Sequence, residues 1–158
     1  MMSLDYYLNK SAKGDNIAAY EAAKIMQDKN YSAIMVQAQL RKAAELGNVN
    51  AIRWLGFLGL SGKLISPEST VTKISYYKTQ EQAFNWFLEG YKKGDVISSF
   101  VVGNCLKYGI GTQQDVAKSE EIISNISSNV PTDAAFSIIF LINTLHPYSS
   151  REHQITTP

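Results

Sequence analysis

Hydrophobic residues along this chain recur at three- and four-residue spacings, and no stretch sustains an alternation at every second position. The first pattern is the apolar stripe of a helix, and the second would mark a strand. Ala83, Trp86, Phe87 and Tyr91 form such a stripe. Val36, Gln39, Leu40 and Ala44 share its spacing, as do Ser119, Ile122, Ile123 and Ile126. The pattern predicts eight helices, over roughly 3–12, 15–28, 32–46, 49–61, 80–93, 96–109, 115–127 and 132–144, and no sheet. The fold class is all-α.

Small residues repeat as well, and they group the helices into pairs. Gly47 is followed at offsets 4, 8, 9, 12 and 15 by Ala51, Leu55, Gly56, Gly59 and Gly62. Gly94 is followed at the same offsets by Ser98, Val102, Gly103, Leu106 and Gly109, and then by Gly111. An earlier copy starts at Gly14 with Ala18, Ala22 and Ala23. A degenerate fourth starts at Val130 with Ala134, Ile138 and Ile139. Self-similarity on this scale marks a solenoid of stacked helix pairs. The leading glycine suits the residue after a helix end, and Asp15, Asn48 and Asp95 then cap the next helix. Gly56 and Gly103 fall inside helices, where glycine costs ~1 kcal/mol against alanine. That cost is tolerated where a neighbouring helix comes close.

The period is uneven. Gly14 to Gly47 spans 33 residues, Gly47 to Gly94 spans 47, and Gly94 to Val130 spans 36. The excess lies within residues 63–79, as an insertion between helix pairs. Such pairs are normally joined by short loops, so a long one is functional or mobile. After Leu145 the periodicity stops. Residues 1–145 therefore read as the solenoid and 146–158 as an irregular tail.

Composition narrows the possible partners. A hydrophobic fraction of 45% in 158 residues is enough for one well-buried domain. The net charge is +1 without a basic stripe, which points away from nucleic acid and membrane surfaces. Cys105 is the single cysteine, so no internal disulfide exists and a reducing compartment is favoured. The first residues carry no secretory pattern, and the apolar run 138–142 is too short to span a bilayer. The expected location is the cytoplasm.

The residues that perform chemistry are scarce. His146 and His153, the two histidines, lie in the tail, and Cys105 sits among Phe100, Val101, Val102 and Leu106 as a packing thiol. One cysteine and two tail histidines cannot close a zinc site. Gly109-Ile110-Gly111 follows a helix instead of a strand and lacks the Lys-Ser/Thr pair of a phosphate loop. Glu120 and Glu121 are adjacent and point apart on a helix, so they form no acid/base pair. The expectation is a protein with no catalytic residue, no metal and no cofactor.

The repeat resembles the Sel1-like family, a relative of the tetratricopeptide repeat. Ala51, Leu55, Gly56 and Gly62 match one half of that family's pattern, as do Gly103, Gly109, Gly111 and Asp115. Ala83, Trp86, Phe87 and Gly94 match the other half, with Ala43, Ala44 and Gly47. Gly59 and Leu106 stand where the family has an aromatic, and Val130 where it has glycine. The resemblance covers about residues 3–142 and implies a right-handed α/α solenoid of about four helix pairs that binds other proteins. The family also supplies immunity proteins of toxin–antitoxin and contact-dependent inhibition systems. The expected function is thus a non-catalytic module, an immunity protein that occludes a cytoplasm-acting bacterial toxin. The alternative is an adaptor or regulatory scaffold for a peptide or signalling partner.

Partner-binding candidates lie between the repeat's core positions. They are Arg53, Trp54 and Phe57 on the fourth helix, and Asn104 and Lys107 on the sixth. Tryptophan and arginine are enriched in binding hot spots, although Trp54 also reads, and more simply, as core between repeats. Tyr76, Tyr77 and Lys78 close the insertion, where they either dock a partner or staple the insertion to the solenoid.

Overall fold

The computed structural model describes residues 2–65 and 76–156, with side chains throughout except at 76, 77, 127 and 146–156. It contains α1 (Leu4–Ala12), α2 (Asn16–Asp28), α3 (Ala33–Glu45), α4 (Val49–Leu60), α5 (Tyr76–Lys92), α6 (Val96–Tyr108), α7 (Val116–Ile126) and α8 (Thr132–Thr156). A short 3-10 turn, Ser127–Asn129, precedes α8. There is no strand among the described residues. Each helix from α1 to α6 packs on its successor, and α8 lies against α6.

The turn inside a helix pair is built as its sequence suggests. Gly94 takes φ +80°, a left-handed conformation that a Cβ would strain. Asp95 follows, and its carboxylate accepts the Ser98 N–H at 3.0 Å to cap α6. Asp15 does the same for Ala18, and Asn48 for Ala51, each at 2.9 Å. The mid-helix glycine serves a different need. A Cβ on Gly56 would stand 2.5 Å from the ring of Phe87, so its absence lets α5 lie directly on α4.

Burial divides the interior into two clusters that meet at α4. One gathers Ala19, Ala23, Val36, Leu40, Ala51, Ile52 and Leu55. The other gathers Leu60, Phe87, Val101, Val102, Cys105, Ile122, Ile138 and Ile142. The matched repeat positions are core: Ala22, Leu55, Val102 and Ile138, all at offset 8, are 0–4% exposed.

Three expectations need correction or restriction. The insertion was expected over 63–79, but α5 begins at Tyr76, so its last four residues form a helical turn. Thr79 and Gln80 are buried there, and tertiary packing extends the helix beyond its apolar stripe. Residues 66–75, the bulk of that insertion, lie outside the described residues. The expected irregular tail is instead the continuation of α8, whose backbone stays helical to Thr156. Loss of apolar periodicity removes a buried face, but it does not forbid helical backbone.

Candidate protein-binding surface

Three of the eight candidate residues, Arg53, Trp54 and Phe57 on α4, take part in joining consecutive repeats. Arg53 lies one turn into α4, and its guanidinium forks onto Asp95, the residue that caps α6. Its Nε donates to one carboxylate oxygen at 2.9 Å, and its Nη2 donates to the other. Asp95 is nearly closed off, with 7% of its side chain exposed, while a third of Arg53 remains open. Burial alone would raise the Asp95 carboxyl, but hydrogen bonds from Arg53 and Ser98 prevail and hold it below its ordinary value. The pair is separated by 42 residues in sequence, so no local spacing announces it.

Trp54, the next residue, is half-buried and meets the ring of Tyr20 edge-on, with centroids 6.2 Å apart and planes at 81°. Tyr20 is half-buried too, and the Lys24 ammonium lies 5.2 Å from its centroid. Lys24 also pairs with Glu21 at 3.1 Å. Trp54 thus packs partly on the core and keeps part of its surface open. Phe57, two positions past Leu55, is half-buried and packs edge-on against Phe87 at 4.9 Å.

The α6 candidates divide. Asn104 was expected at the surface, but it is 6% exposed and donates its amide to the Phe100 carbonyl at 2.9 Å. The reason is position: α6 has α5, α7 and α8 around it, and Ser98 through Cys105 are all buried. A sequence signal for this existed, because no charged residue occurs between Asp95 and Lys107. A helix apolar all round is an interior helix. Lys107 is exposed, with its ammonium 5.3 Å from the Tyr108 ring centroid. It edges a groove of about 320 Å³ with Val116, Ser119 and Ile123, apart from the α4 cluster.

Lys78 is exposed in the first turn of α5. Tyr76 and Tyr77 stand beside it on the helix, but their side chains lie outside the described residues. What fastens the start of the insertion is a pair of residues that sequence reasoning missed. Gln37 donates to the Lys63 carbonyl at 2.9 Å and accepts the Ile65 N–H at 2.7 Å. Arg41 adds a bond to the Ile65 carbonyl at 3.0 Å.

Cys105 is fully buried, and burial pushes its thiol up to about 12, so it stays protonated at neutral pH. Among the described residues, no group of histidine, cysteine, aspartate or glutamate side chains could hold a metal ion. No helix there is long and apolar enough to cross a membrane.

A stack of capped antiparallel helix pairs, with glycines at the helix crossings, is an α/α solenoid of the Sel1-repeat fold. Solved structures bear this out. A Sel1 repeat protein from Oxalobacter formigenes superposes with a TM-score of 0.67 at 20% identity, covering 85% of this chain and 96% of that one. The protective antigen c5321 of uropathogenic Escherichia coli strains, which displays an SLR fold, superposes with a TM-score of 0.53 at 17% identity. It covers 98% of this chain, which spans 36% of that protein. No family model matches the sequence, and no curated protein matches it.

Proposed function

We propose that the chain is an immunity protein, which binds and occludes a bacterial toxin through the open edge of α2 and α4. The observation that carries the surface is the Tyr20–Trp54 pair. Two aromatic side chains, each half in water, sit between Arg53 and Lys24. Tyrosine, tryptophan and arginine are the residue types that dominate binding energy in protein interfaces. Arg53 is held in place by Asp95, so ordering it on binding costs little side-chain entropy. Occlusion asks for a rigid surface and no reactive group, and this edge offers that combination. The toxin itself is inferred by analogy with immunity proteins built on Sel1-like repeats. Its location in the cytoplasm belongs to the same proposal.

The test is co-expression with the product of the neighbouring gene. The expected result is a neighbour that arrests growth alone, is harmless with this chain, and co-purifies with it. Trp54→Ala should weaken that complex by about 2 kcal/mol, roughly thirtyfold, while Lys29→Ala leaves it unchanged. A neighbour that is harmless alone, or that forms no stable complex, defeats the immunity reading. Micromolar binding of a short peptide at the same edge would instead establish an adaptor.

A further inference from the structure

The repeat register makes a demand on α8 that the chain does not meet. In the first three pairs, the second helix presents a small residue at offset 9, and the next repeat covers it. Ala23 is 0% exposed, Gly56 lies under Phe87, and a Cβ on Gly103 would come 2.6 Å from Ile123. The same offset in the fourth pair is Ile139, and it is 42% exposed. Its neighbours follow suit. Phe136 and Phe140 are 72% and 76% exposed, whereas Phe100 and Asn104, their counterparts on α6, are 7% and 6% exposed. Offset 8 keeps the register honest, because Ile138 is buried like Val102. So α8 is oriented as the repeat requires, with its next-repeat face uncovered.

The residue at offset 9 decides what can cover that face. A fifth helix of the same kind needs glycine or alanine there in order to approach, and Ile139 blocks it. A surface that is itself bulky, with gaps one turn apart, is instead complementary to a copy of itself. Two such helices run antiparallel pack knobs into holes. Charge points the same way. Between Thr132 and Leu145 the single charged residue is Asp133, so no charge steers an oppositely charged partner to this face.

We infer that this face of α8 is a self-association surface, through which two copies of the chain pair by antiparallel packing of Phe136, Ile139 and Phe140. With the two-fold axis at the level of residue 138, one position from Ile139, Phe136 of each copy lies against Phe140 of the other, as an isologous interface requires. The two Asp133 carboxylates then sit about 15 Å apart along the axis, beyond the screening length at physiological salt. The two phenylalanines alone leave roughly 300 Å² of aromatic surface in water. That is a large part of the ~500 Å² per copy at which specific pairing begins. The surface is distinct from the α2/α4 edge, so either assignment can fail without the other.

The test is the solution mass of the full chain by light scattering, from low micromolar to about 200 µM, since pairing follows mass action. The expected result is a mass that rises to twice that of one chain. The double variant F136D/F140D should stay at one, with its dissociation constant raised about a hundredfold or more and its circular dichroism unchanged. If aspartate disturbs the fold, Phe136→Ser gives the same reading, because an exposed side chain is being shortened. Under mild oxidation I139C should be trapped as a covalent dimer, while wild type, whose one thiol is buried, should not. A chain that stays single over the whole range overturns the inference. So does a dimer that persists in F136D/F140D, or a face covered only by a different protein.

Discussion

Gly56 and Ile139 stand at the same offset of their repeats, yet one lies beneath the Phe87 ring and the other is 42% exposed. Around Gly56, α4 and α5 interlock: Phe87 is fully buried, Phe57 meets it edge-on, and Ala83 lies over Gly59. Around Ile139 the same helix face carries two phenylalanines into water. The backbone register is alike in both places. What differs is side-chain volume: glycine at this offset admits the Phe87 ring, whereas Ile139 fills the same place between two exposed phenylalanines.

Substitutions can break this comparison in graded steps. Phe87→Ala should be the most damaging, because it empties the space that Gly56 was kept small to admit. A loss of about 3–5 kcal/mol is expected, read from denaturant unfolding. Asp95→Ala removes both the α6 cap and the partner of Arg53, and should cost about 2 kcal/mol. The same carboxylate sets a pH dependence. Its folded value lies below the ordinary 3.8, so its contribution is complete above that value and is lost as pH falls through the lower folded value. The difference in Tm between wild type and Asp95→Asn should thus hold from neutral pH to about 4, then narrow in stronger acid.

Gly56→Ala is subtler, because two effects oppose each other. Alanine gains ~1 kcal/mol of helix propensity, whereas overpacking against a confined ring costs ~1–3 kcal/mol. A net loss of about 1 kcal/mol is expected, and a Tm lowered by about 2–4 °C would show it. The smallest effect belongs to the other side of the comparison. Ile139→Ala should change the stability of the single chain by less than about 0.5 kcal/mol, since nothing in that chain rests on it. A large loss there would mean that α8 packs differently.

Much of this architecture was legible in the chain itself, for a definite reason. Helix pairs, caps and crossing glycines are local or periodic features, so Gly94-Asp95 and Leu55-Gly56 announce their roles within a few residues. Contacts between repeats are not local. Arg53 reaches Asp95 across 42 residues, and Gln37 holds Ile65 across 28, at distances set by how the pairs stack. Asn104 shows the related failure: its spacing resembles an open position on α4, but α6 is enclosed on more sides. Trp54 was legible as a residue with two readings; its half-burial against Tyr20 shows its packing, and its binding role is the proposal made above. Tyr20, its partner, was overlooked because a lone tyrosine in an alanine-rich helix carries no signal until another repeat stacks on it.

The α4 helix lends Ala51, Ile52 and Leu55 to one core cluster and Leu60 to the other. In a stack of repeats, cooperativity runs only as far as the junctions between neighbours carry it. A helix shared by both clusters ties their openings together, and the Arg53–Asp95 clamp fastens that helix to the next repeat. The ends can then fray and re-form on their own while α4 is released only when both halves let go. The surface proposed around Trp54 thus rests on the helix that both clusters share, so its shape is lost only when both release it.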